Sequence, residues 1–552
     1  MTFPKNKDSK KYRYLLASTV AICAGAVVVA CGGGGSSSSN SNSNPNSDPN
    51  AGTGTPQNPV EPVKRTPSPA PWPSYGGTAQ HDALATVATQ GFGRIVWKAP
   101  VDLAPQYSPN GYLLVHYGSP VITLKNTVIL PVKTAAQLTY RIEARSGTSG
   151  QVIWSENSDY IMPAHRWTPT YNATLTANNR MLAPGAGGKV IYRDDADESV
   201  GTLKSMVFYG DSVYAANKAA LDKAVIINTP ITADAQNNIY FGFIAEPGNP
   251  AGLTSGFARI GADGKGTWVG AAAASGVSSI VKPATNSAPA ISLDQKTLYV
   301  LVNNTNASDV KTLSRGYLLA LDSSTLALKS KVLLVDPNEK GSAYISDDST
   351  AAPLVAPDGD VYMGVLEQNP GSHNSRGWLL HFNADLSITK TPGSFGWDDT
   401  PSIVPADIVS GYTGTSKYLL MTKYNNYQRT GSGDGLNKIA IIDPNVATAD
   451  AITPSVNTMK EILTIIGPTP DPNAPGGFIE WCVNTAAVDP FTKSVIVNSE
   501  DGYLYRWSLT SNKLTEKIKL TSGMGESYTP TAVGPDGKVY AINNAVLFSI
   551  GQ

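Results

Sequence analysis

The stretch "ESYTPTAVGPDGKVYAINNAVLFSIGQ" (Glu526 to Gln552) closes the chain and alternates short apolar runs with turn residues. Two strand patterns flank Pro535-Asp536-Gly537. In this tripeptide proline presets φ, aspartate bonds its own backbone, and glycine accepts a left-handed conformation. Val546 to Ile550 reads as a further strand, and a four-stranded antiparallel sheet would need one more. Period-two alternation between such turns marks strands. The missing strand is therefore expected elsewhere in the chain.

The same pattern recurs upstream: a small residue and proline, a short apolar strand, a polar turn, and a second strand rich in Val, Ile and Tyr. It begins at Gly118 ("GSPVITLKNTVILPV"), Trp167 ("WTPTYNATLTANNRMLAPG"), Asn228 ("NTPITADAQNNIYFGFI") and Ser287 ("SAPAISLDQKTLYVLV"). It returns at Thr350, Asp399 and Asn484, where Val488 stands for the proline, and at Tyr528. Several copies continue into a third and fourth strand, as in "GYLLALDSSTLALKSKVLL" from Gly316. Eight copies of about fifty residues predict an all-β, eight-bladed β-propeller of four-stranded antiparallel blades, in which each blade buries its faces on its neighbours. Seven blades is the alternative, because the segment after Ala183 is irregular. The ring is expected to close by "GRIVWKAPVD" (Gly93 to Asp102) joining the last blade, an N-terminal strand completing the C-terminal sheet.

The 552 residues carry a formal net charge of −1 and 15% charged side chains, well under the roughly 25% of ordinary soluble domains. That balance gives no footprint for nucleic acid. Lys5, Lys7, Lys10, Lys11 and Arg13 precede an apolar run from Leu15 to Ala30 and then Cys31, the layout of a signal peptide. "VVAC" resembles the lipobox of bacterial lipoproteins, which implies a signal peptide over 1–30, lipidation (palmitate among the acyl chains) at Cys31 and a membrane anchor. Residues 31–71, rich in Gly, Ser, Asn and Pro, read as a disordered tether, and 72–552 as the propeller. Gly32 after the Cys favours the outer membrane, on its periplasmic face or the cell surface. Beyond the signal only Cys31 and Cys482 remain, so a disulfide framework is not expected.

"WPSYGGTAQHDAL" (Trp72 to Leu84), "GRIVWKAPVD" and the S/T-x-P and D-G-x-x-Y repeats resemble the pyrroloquinoline-quinone-type β-propeller repeats of quinoprotein dehydrogenases and BamB-type outer-membrane assembly lipoproteins. The resemblance spans about Trp72 to Gly551. Quinoprotein alcohol dehydrogenases pair the quinone with adjacent cysteines, which this chain lacks, and there is no C-x-x-C-H haem site. No cofactor is therefore expected and no metal site is nominated, while scattered Asp and Asn, which could ligate calcium in any β-rich protein, leave pyrroloquinoline quinone with calcium as an open alternative.

The inner strand of each blade lines the channel, so residues ahead of each S/T-x-P element gather at one mouth. This register nominates His116, His165, Trp167, Asp399, Glu526 and Tyr528, with Asp398, Glu480 and Trp481 beside them. Their mixed polar and aromatic character suits a polar ligand. The leading expectation is a non-catalytic binding or scaffold module of the cell envelope, facing a protein or a glycan. The alternative is an envelope enzyme at the channel mouth, a quinoprotein oxidoreductase or a glycan-active enzyme, using Asp398, Asp399, Glu480 and Glu526 as acids and bases.

Overall fold

The computed structural model describes residues 63–107, 113, 117–137, 139–163, 171–305, 313–346, 351–370, 376–395, 397–424, 436–472, 475–481, 483–523 and 528–552. Eight antiparallel blades follow one another, each running from an inner strand outward. Blade 1 is Val121–Ile122, Thr127–Lys133, Tyr140–Ser146 and Val152–Ser158. Blades 2, 3 and 4 have inner strands Thr174–Leu175, Thr232–Ala233 and Ala290–Ile291. Blades 5, 6 and 7 start from Leu354–Val355, Ser402–Pro405 and Ala487–Asp489. In blade 5 the bridges Leu379–Gly393 and Phe382–Thr389 stand where a fourth strand would pair.

The last blade consists of Ala532–Val533, Val539–Asn543 and Val546–Gly551, and its outer strand is Arg94–Pro100. Arg94 pairs with Gly551 and Pro100 with Val546 in antiparallel register. The closing strand therefore lies within the segment expected from sequence. The irregular segment after Ala183 holds an α-helix, Asp211–Ala224, between the outer strand of blade 2 and the inner strand of blade 3. Eight blades, and not seven, make the ring.

The turn after the inner strand shows, in every blade but the sixth, why the repeats look as they do. Asn126, Asn179, Asn237, Gln295, Gly359, Lys493 and Gly537 occupy the same turn position with φ between 53° and 89°. Asn and Gly tolerate this left-handed region best, hence the Asn-Asn and Asp-Gly signals. Small hydroxyl residues then stitch neighbouring inner strands: Thr174 Oγ1 donates to Ile231 O at 2.7 Å, Thr232 Oγ1 to Pro289 O at 2.6 Å and Ser402 Oγ to Ala486 O at 2.6 Å. Apolar clusters fill the spaces between blades. One joins blades 4 and 5 around Leu318, Met363 and Trp378, and another wraps blades 7, 8 and 1 around Ile496, Tyr540 and Ile129's neighbour Val128. The core is thus a sequence of interblade layers, and no blade is covered without its neighbours.

Candidate functional site at the channel mouth

The channel is not empty. Residues Trp72 to Ala85 run around its wall as a strap that exchanges main-chain hydrogen bonds with one inner strand after another. Trp72 pairs with Ile122 of blade 1, and Pro73 O accepts from Leu175 N of blade 2. Ala79 O, Gln80 O, Asp82 O and Ala83 O then accept from Ile291, Val355, Ile403 and Val488 of blades 4 to 7. Gly76 and Gly77, with φ of 63° and 94°, turn the strap inward, and a side chain at Gly76 would press on His81. This lets Tyr75 reach the channel, where its ring packs on Ala288 and Ala352 of blades 4 and 5. Its hydroxyl meets Thr400 Oγ1 at 3.0 Å and donates to Asn484 Oδ1 at 2.8 Å, on blades 6 and 7. Burial pushes the Tyr75 phenol up to about 12.

His81 stands edge-on to Tyr75 with ring centroids 5.3 Å apart, and its Nδ1 lies 2.7 Å from Pro353 O. Burial holds the imidazole down at about 4, against the smaller opposing effect of that carbonyl. The next residue shifts the other way, since burial raises the Asp82 carboxyl to about 6.

Beside Tyr75 lie the described members of the mouth. Lys423, at the upper end of the second strand of blade 6, donates to Asp398 Oδ2 at 2.9 Å and is buried. Its ammonium sits 4.6 Å from the centroid of the Tyr528 ring, which precedes blade 8, a cation–π contact. Asp398, Lys423 and Tyr528 therefore converge. Asp399 points elsewhere in the same layer: Thr422 Oγ1 donates to its Oδ2 at 3.1 Å, while buried Oδ1 has no hydrogen-bond partner among the described residues. Burial is the largest influence on Asp399 and raises its carboxyl to about 7, beyond the counteracting pull of Lys423.

Trp481 is fully buried between blades 6 and 7, edge-on to Tyr505 at 5.8 Å, and Glu480 is part-buried beside it. Cys31, His116, His165, Trp167 and Glu526 lie outside the described residues, as does Cys482. The strap, Tyr75 and Thr400 were not nominated from sequence. "WPSYGGTAQHDAL" contains the available signal, a glycine pair between aromatic residues ahead of the first strand.

The quinone and calcium that such repeats imply are a poor fit to the wall that is described. Tyr75 occupies the space between Ala288, Ala352, Thr400 and Asn484 of four blades, Lys423 is paired with Asp398, and no group of three metal-ligating side chains gathers among the described residues. The pairing of Lys423 with Asp398 also has a counterpart at the ring closure, where buried Lys133 donates to Asp102 at 2.9 Å. Both pairs pin an entering loop to the end of a second strand.

Fold and site together define an eight-bladed β-propeller whose channel wall carries the chain's own strap, Trp72 to Ala85. Among solved structures, a europium-containing methanol dehydrogenase is similar over 86% of this chain and 89% of that one, with a TM-score of 0.51 at 11% identity. A quinohemoprotein alcohol dehydrogenase from Comamonas testosteroni (TM-score 0.48, 9% identity, 89% and 81% covered) and BamB from Moraxella catarrhalis (0.40, 10%, 83% and 99%) are also similar. At these identities the likeness is one of fold. No family model and no curated protein matches the chain.

Proposed function

We propose that the protein is a non-catalytic binding or scaffold module of the bacterial envelope, exported by residues 1–30 and anchored through Cys31 to the outer membrane, with the ring's faces engaging a protein or a glycan. The observation that carries this reading is the strap. A segment bonded to the inner strands of six blades, with Tyr75 between four of them, spends the channel on the protein's own chain and leaves the faces for recognition. The Lys423–Asp398 pair, repeated in kind at Lys133–Asp102, acts as a loop clamp.

The test is reconstitution of the purified protein with pyrroloquinoline quinone and calcium, beside photo-crosslinking from mouth positions in intact cells. The expected result is no retained chromophore, no dye reduction, and a discrete crosslinked envelope partner or glycan. A retained quinone with alcohol-dependent dye reduction would overturn the proposal in favour of a quinoprotein oxidoreductase.

A further inference from the structure

The outer strand of a blade leaves one edge of its sheet unpaired, and proteins keep such edges from pairing with other chains by charged side chains, proline or cover. Here Glu156 in blade 1, Lys204 in blade 2, Lys329 in blade 4, Lys460 in blade 6, Lys517 in blade 7 and Lys98 in blade 8 supply the charge. In blade 5 the segment Thr389 to Gly393 lies along the edge. Blade 3 has none of these devices: its outer strand, Gly266–Gly270, reads Gly-Thr-Trp-Val-Gly.

The main-chain register fixes which groups this edge offers. Gly261 N donates to Lys265 O at 2.9 Å and Ala271 N to Ser255 O at 2.8 Å, and between them Gly256–Ile260 and Gly266–Gly270 pair in unbroken antiparallel order. Thr267 and Val269 therefore spend N–H and C=O on the third strand, Gly256–Ile260, while Gly266, Trp268 and Gly270 direct theirs outward. No described residue bonds the outward N–H or C=O of Trp268. Ala262 to Trp268 are all exposed, and Trp268, whose ring stands edge-on to Phe243 at 6.2 Å, is 36% exposed. The two glycines answer to the blade's own packing, since a Cβ at Gly266 would collide with Phe208 O and one at Gly270 with Thr254 Oγ1. That packing leaves the exposed Thr267 and the solvent side of Trp268 unexplained.

The strand reads nearly alike in both directions, because Thr and Val share a shape and flank the central Trp268 between two glycines. An antiparallel pair of such strands about a two-fold axis at Trp268 sets Trp268 opposite its own copy, Thr267 opposite Val269 and Gly266 opposite Gly270. From this self-complementarity, the open main-chain groups and the missing charge, we infer that the outer edge of blade 3 pairs with the same edge of a second copy of this chain, joining two blades into one continuous sheet. Each Trp268 N–H donates to the other copy's Trp268 C=O, and each Gly270 N–H to the other's Gly266 C=O. Thr267 and Val269 meet as closely spaced pairs without main-chain bonds between them. A strand of different sequence could use the same main-chain groups, but an identical one also meets each side chain with its match. So short an edge makes a small interface, in the range of weak and reversible associations. The dimer therefore depends on concentration.

Sedimentation velocity of the full chain over a wide range of concentration tests this. The parent should show a monomer–dimer equilibrium, and Thr267→Lys and Trp268→Lys should each leave monomer alone, the second by setting like charges directly opposite each other. Thr267 is exposed, so the thermal midpoint of Thr267→Lys should match the parent's, and this variant decides the matter if Trp268→Lys, which loses the contact with Phe243, melts early. Register is read in a Cys482→Ala background by mixing Thr267→Cys protein with Val269→Cys protein under copper phenanthroline. The mixture should form a disulfide between those two positions, identified by the mass of the linked peptides, and neither variant alone should do so. A parent that is monomeric at every concentration would overturn the inference, and so would one that captures an extended strand from another protein in place of its own copy. A dimer that survives both lysine variants, or a disulfide that either cysteine variant forms alone as readily as the mixture, would overturn it as well.

Discussion

At the scale of single residues the mouth is governed by burial working against charge. Asp399 keeps its proton to about pH 7 in the folded protein, compared with an ordinary 3.8. It contributes stability that is complete below pH 3.8 and lost as the pH rises through 7. Asp399→Asn removes the charge and keeps the shape, so thermal unfolding at pH 8 should show a gain of up to roughly 4 kcal/mol over the parent, with little change at pH 4. A gain that is the same at both pH values would mean that the carboxylate is solvated in the folded state. Lys423 cannot simply neutralise Asp399, because its ammonium already bonds Asp398 and stacks on Tyr528. Asp398, Asp399 and Tyr528 were readable from sequence as neighbours of a recurring proline. The depth at which each sits was not, because the proline drifts against the strand: in blade 2 the turn begins at Thr176, which puts Ala173 at the height of Pro120, and in blade 7 it puts Ala486 there.

At the scale of elements the strap is the least legible part and the most consequential. Its residues show neither helical nor strand periodicity, since they bond in turn to strands from different blades and not to one partner. Propensity and alternation report pairing with a single neighbour. Such a segment looks like a loop. Its two adjacent titrating groups also offset each other. Burial removes a proton from His81, whose stability contribution is complete above pH 6.5 and lost as the pH falls through 4. Burial adds a proton to Asp82, whose contribution is complete below pH 3.8 and lost as the pH rises through 6. Between pH 4 and 6 the strap therefore enters the channel with little net proton exchange. His81→Gln should break this balance: relative to the parent, the variant gains stability as the pH falls from 6.5 to 4, by roughly 3 kcal/mol in total. Denaturant titrations at several pH values would measure it, and a parallel pair of curves would show that His81 remains solvated.

At the scale of the whole molecule the ring was legible because its turns repeat, with Asn or Gly at the left-handed position in most blades, and because the chain's final sheet lacked a strand. Blade number was harder to read, since the helix Asp211–Ala224 interrupts the β pattern where blade 3 begins. Arg94–Pro100 completes the sheet of Val546–Gly551, and its Trp97 also donates to Gly147 O of blade 1 at 3.0 Å. Removing the last twenty residues should therefore abolish the cooperative transition in calorimetry, because two interblade layers lose a wall at once. A truncated protein that melts like the parent would contradict the closure. This closure also imposes an order in time. Arg94–Pro100 leaves the ribosome some 450 residues before its partner, a delay of roughly 20 to 90 s at ordinary elongation rates. During that interval the strand is an unsatisfied sheet edge. A ring that locks only when Val546–Gly551 arrives therefore leaves Arg94–Pro100 open to pairing with other chains for most of synthesis.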